Sequence, residues 1–284
     1  MEKSNNHFIF KHKPQNHSTE KQAILNHYIH FCGSLCMLNN YSRDDKEVQI
    51  QYAKPEQLTK IAELYHLKDI IDNTSTFTKC LSLMNYQTKH MLHNGYYDNH
   101  IKDGILAVLE YAWDSNREKS VNCLWLAKVL RTFMQSQGIK ARLVGMYPLT
   151  PYEQENHIVV EAWLEEEQKW VMFDPTSNTY VLDEQNTLLN LAEIRTALGA
   201  QKPISFSPTT AYNHKPRDLN TLKAYYAKNC FLFTFMDNQT GKEQPQEHNI
   251  IIAPDGFDYE KYASIRKFYT IQTIYKPLSF MSKP

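Results

Sequence analysis

The sequence predicts an α+β fold in which one amphipathic helix packs against an antiparallel sheet. Apolar residues recur every three or four positions between 123 and 138, which is the spacing of a helix with one buried face. Residues 157–164 alternate as a strand does, and the short apolar run 170–173 follows a charged turn. A helix followed by an antiparallel hairpin is therefore the expected centre of the structure.

The predicted helix begins at a position that suits a negatively charged side chain. Either Ser120 or Asn122 can cap its first turn, and Gly138 stands where a left-handed residue would end it. Cys123 therefore falls among unpaired backbone N–H groups, where the helix dipole favours a thiolate. With a nearby imidazolium, such a position lowers a thiol pKa from about 8.5 toward roughly 4–7.

The predicted hairpin brings a histidine and a carboxylate to the same place. His157 opens the first strand, and Asp174 follows the second strand, where Pro175 ends the ladder. Folding the hairpin about the charged turn 165–169 places Asp174 beside His157. A shift of one residue in register would put the two side chains on opposite faces of the sheet.

A thiol, an imidazole and a carboxylate are the components of a nucleophilic triad. Each has a simpler structural interpretation, because a free cysteine is usually a small buried hydrophobic residue and Asp-Pro is a common turn. Their positions at a helix start and at two strand ends favour the catalytic interpretation of Cys123, His157 and Asp174.

The same segments carry a family resemblance over residues 95–180. They are the helix 105–113, the Asn122-Cys123 pair, the run 138–147, the strand 157–163 and Trp170-Val171-Met172-Phe173-Asp174-Pro175-Thr176. Together they resemble the core of the transglutaminase-like superfamily, a circularly rearranged relative of papain-like cysteine proteases. The resemblance implies that Cys123 is the nucleophile, His157 the general base and acid, and Asp174 the orienting carboxylate.

The sequence also departs from that family. Many members have a glycine just before the cysteine, where Val121-Asn122 stand here. Three residues are candidates for the second oxyanion donor: Trp125, Asn122 and Tyr111. Neither the calcium sites of animal transglutaminases nor the paired zinc motifs of peptide N-glycanases have a counterpart, so we expect no cofactor.

Composition excludes several other classes of protein. The 31 basic and 31 acidic residues balance, which argues against a nucleic-acid partner. No apolar run approaches the roughly 20 residues that span a bilayer, and the polar segment 1–20 does not suit a signal peptide. The five cysteines, at positions 32, 36, 80, 123 and 230, are odd in number and widely spaced. We therefore expect a reduced, cytoplasmic protein with no membrane contact.

Three regions are expected along the chain. Residues 1–94 form a mainly helical extension with helices near 21–39, 55–65 and 78–92, and residues 95–200 form the catalytic core. Residues 201–284 form a C-terminal α/β extension with a helix at 219–228. Its β-like runs at 230–236, 249–253 and 268–275 either extend the core sheet or cover its edge.

Two further patterns are assigned to structure rather than to chemistry. His27, His30, Cys32 and Cys36 have a spacing that zinc ligands can use, but their apolar neighbours favour an ordinary packed helix without metal. The aromatic residues at 225–226 and 231–235 lack interleaved basic residues and are expected in the core.

The sequence thus predicts a cysteine-dependent enzyme that forms an acyl-enzyme on Cys123. Its substrate would be a peptide, a protein or a carrier-bound acyl group, joined by an amide or a thioester. If water resolves the acyl-enzyme, the protein is a peptidase or amidase, and if an amine does so, it is an acyltransferase. The sequence favours neither strongly. The alternative is a non-catalytic module that binds a peptide or carrier in the same cleft. The oligomeric state is not indicated.

Overall fold

The computed structural model describes residues 17–39, 41, 52–101, 104–236, 249–267 and 270–274. The α-helices in these segments are α1 (His17–Leu38), α2 (Thr59–Leu64), α3 (Leu67–Ile70), α4 (Thr76–His90), α5 (Ile105–Ala112), α6 (Cys123–Ser136), α7 (Leu191–Gly199), α8 (Leu219–Asn229) and α9 (Tyr259–Arg266). The strands are β1 (Ala141–Tyr147), β2 (His157–Leu164), β3 (Lys169–Phe173), β4 (Val181–Leu182), β5 (Ser205–Phe206), β6 (Ala211–Tyr212), β7 (Lys215–Pro216), β8 (Leu232–Met236), β9 (Asn249–Ile252) and β10 (Thr270–Ile274).

One six-stranded sheet runs through the described residues in the order β10-β9-β8-β1-β2-β3. Its strands are antiparallel except for the parallel pair β9 and β10. The C-terminal strands extend the core sheet, since β8 pairs directly with β1. The predicted strand 268–275 is seen as Thr270–Ile274, and residues 268, 269 and 275 lie outside the described residues.

The α+β fold class predicted from the sequence is confirmed, and its N-terminal region is helical. The helix expected near 21–39 already includes His17, while residues 1–16 of the polar segment lie outside the described residues. The helix expected at 55–65 is divided into a 3₁₀ turn, Pro55–Leu58, and α2. The helix expected at 78–92 begins at Thr76, because the Ser75 hydroxyl caps it by accepting the Thr78 N–H.

Both faces of the sheet are buried under helices. One face packs against α4, α5 and α6 through residues such as Leu143 and Val160. The opposite face packs against α1, α7 and α8 through residues such as Val144 and Val159. Successive residues of β2 therefore point into two different cores. Among the described helices, none has the length and apolar character needed to cross a bilayer.

A buried ion pair ties the central strands to α7. The Nε and a terminal nitrogen of Arg142 donate to Oε2 of Glu161 at 3.0 and 2.7 Å, and the two side chains are 1% and 0% exposed. The other oxygen of Glu161 accepts the N–H of Leu191 at 3.0 Å. The guanidinium also stacks on Trp170, 3.9 Å from its ring centre. One charge pair thus joins β1, β2 and the start of α7.

We expect Arg142→Met to lower the free energy of unfolding by about 3–5 kcal/mol, because Glu161 would keep a buried charge without its partner. Urea unfolding followed by circular dichroism measures this change. Lys169→Met is the matched control, since its pair with Glu193 is 20% and 41% exposed and is worth about 1 kcal/mol or less. Equal, small effects in the two variants would contradict the proposed role of the buried pair.

Candidate active site

The first turn of α6 carries Cys123. Of the two predicted caps, Asn122 performs this role, because its Oδ1 accepts the N–H of Trp125 at 3.3 Å. Ser120 instead donates its hydroxyl to the carbonyl of Arg117 at 2.6 Å. Gly138 follows the helix with a φ of +78°, as expected for its left-handed position. Cys123 is therefore the first residue of a capped helix and is partly exposed.

The β2–β3 hairpin brings His157 and Asp174 together in the predicted register. Val160 lies opposite Phe173, so Asp174 continues β3 on the face of the sheet that His157 occupies. Nε2 of His157 lies 2.9 Å from Oδ2 of Asp174. The two residues are 2% and 0% exposed. Asp174 is therefore fully buried, and His157 is almost so.

The carboxylate of Asp174 is held by several donors. Its Oδ2 also accepts the Tyr226 hydroxyl at 2.7 Å, and its Oδ1 accepts the N–H of Thr176 at 2.9 Å. Burial alone would raise the pKa of Asp174. The charge and hydrogen bond of His157, the Tyr226 hydroxyl and the charge of Arg217 outweigh it and hold the pKa well below its usual range. Asp174 is therefore a carboxylate at neutral pH.

The thiol and the imidazole form a coupled acid–base pair. Burial disfavours a charged His157, but Asp174 and the Cys123 thiol raise the pKa of His157 to about 10. Burial likewise disfavours the thiolate, but hydrogen bonds and charges from His157 and His93 lower the pKa of Cys123 to about 6. Because Nε2 of His157 is used by Asp174, its Nδ1 faces the thiol. A thiolate–imidazolium pair is thus the stable form between these two pKa values.

A second histidine, His93, shares the cleft with Cys123 and lowers the pKa of its thiol, and sequence reasoning did not find it. It lies in the loop after α4 and forms a parallel bridge with Val121, two residues before Cys123. Its Nδ1 lies 2.9 Å from the Tyr212 hydroxyl. No spacing or motif singles out His93 in the sequence, because its place depends on contacts with residues 28 and 119 positions away.

Two of the three oxyanion donors considered from the sequence are engaged in other hydrogen bonds. The Asn122 amide donates to Oδ1 of Asn99 at 2.9 Å, and the Tyr111 hydroxyl donates to the carbonyl of Glu118 at 3.3 Å. Trp125 is buried and is absent from the lining of the cleft that contains Cys123.

Cys123 and His157 open into a cleft of about 1450 Å³. Its charged lining residues include Arg117, Lys215, Arg217, Glu153 and Glu155. Both glutamates form ion pairs with Lys228. The cleft therefore carries charged groups of both signs, and the thiol lies where a substrate segment can reach it.

Tyr225 and Tyr226, which the sequence assigned to the core, both contribute to this site. Tyr226 is fully buried, as expected, but its hydroxyl hydrogen-bonds Asp174. Tyr225 lines the cleft, and its ring lies edge-on to His157 with 5.3 Å between ring centres. Periodicity identifies their helix but cannot show that its aromatic face covers the histidine.

The pattern of histidines and cysteines in α1 is split between two environments. His27 and His30 are exposed, whereas Cys32 and Cys36 are buried against the sheet. The described residues contain no group of three or more potential ligands that could hold a metal ion. All five cysteines are free thiols, and four of them are buried; Cys123 is the exception.

The fold and this site bring a cysteine at a helix N-terminus close to a strand-borne histidine. Residues 68–175, about two fifths of the chain, match the family model of the transglutaminase-like superfamily. The match ends directly after Asp174. It supports a cysteine-dependent enzyme in general.

One solved structure with similarity to the chain is that of a "Putative Cysteine Protease" from Cytophaga hutchinsonii. The TM-score is 0.34 at 16% sequence identity, and the match covers 59% of this chain and 57% of that one. A search of curated proteins found no significant sequence match.

We expect iodoacetamide to label Cys123 with a rate that is half-maximal near pH 6, because the alkylated species is the thiolate. The other four thiols are buried with raised pKa values and should react slowly. Labelling at each cysteine is measured by peptide mass spectrometry. His157→Ala should move the Cys123 profile to higher pH, whereas His100→Ala, a change at an exposed histidine, should not. A Cys123 profile that is identical in wild type and His157→Ala would contradict the ion pair.

Tyr226→Phe tests the carboxylate that supports the pair. An Asp whose folded pKa is depressed adds stability above its unfolded pKa of about 3.9 and loses it as pH falls below that value. Removing the Tyr226 hydroxyl raises the folded pKa of Asp174, so the stability lost between pH 5 and pH 2 should shrink by roughly 0.5–1.5 kcal/mol. Urea unfolding across this pH range measures the difference.

The control for this prediction is Tyr262→Phe, which removes another buried hydroxyl bonded to the carbonyl of Pro148 at 2.8 Å. That variant should shift stability by a similar amount at every pH, because no carboxylate accepts the lost hydrogen bond. Parallel curves for Tyr226→Phe and Tyr262→Phe would contradict the account of Asp174.

Proposed function

We propose that this protein is a cysteine-dependent enzyme that cleaves or transfers the acyl group of an amide or a thioester through an acyl-enzyme on Cys123. The observation that carries this proposal is the row of Cys123, His157 and Asp174 at the N-terminus of α6, where Cys123 and His157 both line a cleft. The link from His157 to Asp174 is a buried hydrogen bond of 2.9 Å, and His157 lowers the pKa of the thiol, as the roles of base and orienting carboxylate require.

The roles follow from the direction of the hydrogen bonds. The Cys123 thiolate attacks the carbonyl carbon, and the imidazolium of His157 gives its Nδ1 proton to the leaving amine or thiol. Asp174, bonded to Nε2, fixes the ring orientation and stabilises its positive charge. In the second half of the reaction, neutral His157 takes a proton from water or an amine that attacks the thioester. The enzyme is then restored with the ion pair intact.

The shape of the cleft supports a peptide, protein or carrier-bound substrate. Its volume and its charged lining suit a polar chain better than a small apolar ligand. We favour hydrolysis over transfer because it needs only one organic substrate, and the open cleft gives water access to the acyl-enzyme. The compartment we propose is the cytoplasm, where a free thiol nucleophile stays reduced.

The proposal is tested with an acetyl thioester of N-acetylcysteamine, quenched in acid and analysed by mass spectrometry. We expect one acetyl group on Cys123 and release of acetate. Cys123→Ser and His157→Ala should each lose roughly 10³-fold or more in the rate of thioester cleavage. Cys32→Ser is the matched control, since it changes a free thiol outside the site and should retain the rate.

Added amines distinguish hydrolysis of the acyl-enzyme from transfer of its acyl group to an amine. Acetate as the main product at high amine concentration supports a hydrolase, whereas an acetamide product supports an acyltransferase. If Cys123→Ser cleaves the thioester as fast as wild type, the proposed nucleophile is wrong. A cleft that then binds peptides with unchanged affinity in that variant would identify a binding module.

A further inference from the structure

We propose that His93 is a further catalytic residue, whose Nε2–H donates to the substrate's carbonyl oxygen as negative charge develops on it. This inference rests on the proposed function, since it assigns a second oxyanion donor to the same reaction. The structure places His93 beside the nucleophile, because His93 forms a β-bridge with Val121, two residues before Cys123. His93 and Cys123 line the same cleft.

The direction of the His93 hydrogen bonds follows from its partner Tyr212. Nδ1 of His93 is 2.9 Å from the Tyr212 hydroxyl, so Nε2 is the nitrogen left to face the cleft. A Tyr212 hydroxyl that donates to Nδ1 leaves a ring hydrogen on Nε2, which is the arrangement that a donor to the oxyanion needs.

The backbone of His93 is fixed from two sides. The Asn213 side chain accepts the His93 N–H at 2.7 Å and donates to the His93 carbonyl at 3.0 Å. On the other side, the N–H of Asn94 donates to the carbonyl of Val121 at 2.8 Å, and the N–H of Val121 donates to the carbonyl of Leu92 at 3.1 Å. His93 is therefore held against the segment that leads into Cys123, which is the preorganisation that an oxyanion donor requires.

The β6–β7 hairpin supplies both supporting groups. Tyr212 pairs with Lys215 across the two-residue turn Asn213-His214, and both turn residues have positive φ angles of 48° and 63°. Such a turn directs Asn213 toward the loop that carries His93 while Tyr212 lies beside the ring. This hairpin lies beyond residue 175, where the family match ends. The part of the chain outside the matched segment thus completes the site.

The position of His93 suits a donor to the carbonyl oxygen, on which negative charge develops during the attack. The thiolate forms a bond to the carbonyl carbon, and the π electrons of the carbonyl move onto its oxygen. This oxygen is then next to the sulfur, so a donor that lines the cleft beside Cys123 can contact the oxyanion. The N–H of Cys123, which the Asn122 cap leaves unused, is the companion donor. When the carbonyl re-forms, the bond to the leaving group breaks and His157 protonates that group.

Two reactions at the same thiol separate this role from others. Iodoacetamide alkylation displaces iodide and forms no oxyanion, whereas acylation by p-nitrophenyl acetate does. At about pH 8, where Cys123 is ionised, His93→Leu should lower acylation by about 10²–10³-fold and alkylation by no more than about threefold. His93→Gln keeps an N–H donor and should stay within about tenfold of wild type in both reactions.

Tyr212→Phe tests whether Tyr212 positions the His93 ring. In this variant the ratio of the acylation rate to the alkylation rate at Cys123 should fall roughly tenfold, because the donor tautomer of His93 is no longer fixed. His100→Leu is the control and should leave that ratio unchanged. Circular dichroism melting confirms that each variant is folded.

Loss of both reactions in parallel in His93→Leu, or a His93→Gln variant as slow as His93→Leu, would overturn the oxyanion role while leaving the Cys123 nucleophile in place. A wild-type Cys123 that is alkylated but never acylated would overturn the proposed function as well. The two failures are therefore distinguishable within one set of measurements.

Discussion

The buried hydrogen bond between His157 and Asp174 is the interaction on which the site depends. A carboxylate with 0% exposure is costly unless donors surround it, and here His157, Tyr226 and the N–H of Thr176 do so. The imidazolium that forms can then stabilise a thiolate at the start of α6. The carboxylate of Asp174 stabilises the charge on His157, and the charge on His157 stabilises the thiolate of Cys123. Asp174 therefore promotes ionisation of the nucleophile through His157.

The architecture explains why these charges can be held in place. The hairpin of β2 and β3 lies in the middle of a structure whose two sheet faces are both covered by helices. A second buried charge pair, Arg142 with Glu161, fixes the same strands farther along the sheet and joins them to α7. Rigid elements therefore carry two of the site residues, and a capped helix carries the third. Loops that follow the matched family segment complete the surroundings.

The sequence could predict what depends on local pattern and could not predict what depends on distant contacts. Helical periodicity, a capping residue and strand alternation placed Cys123, His157 and Asp174 on the correct elements, but the hairpin register, which puts His157 and Asp174 on one face, is known only from the structure. His93 and Tyr226 are far from Cys123 in the sequence, and no motif in the residues around them marks either one as part of the site. Tyr226 was expected in the core and is buried there, but its hydroxyl also donates a hydrogen bond to the carboxylate of Asp174. The family match specifies the core and leaves the substrate to be determined by experiment.

The central claim is that His157 is positively charged beside a Cys123 thiolate at neutral pH. Nitrogen-15 NMR of protein labelled at histidine reads both ring nitrogens of His157 directly, with Cys123→Ala as the comparison. The account predicts two protonated ring nitrogens throughout the interval between about pH 6 and about pH 10, and loss of a proton at lower pH in Cys123→Ala. A neutral His157 ring in the wild-type protein at about pH 7.5 would contradict the ion pair and the mechanism built on it.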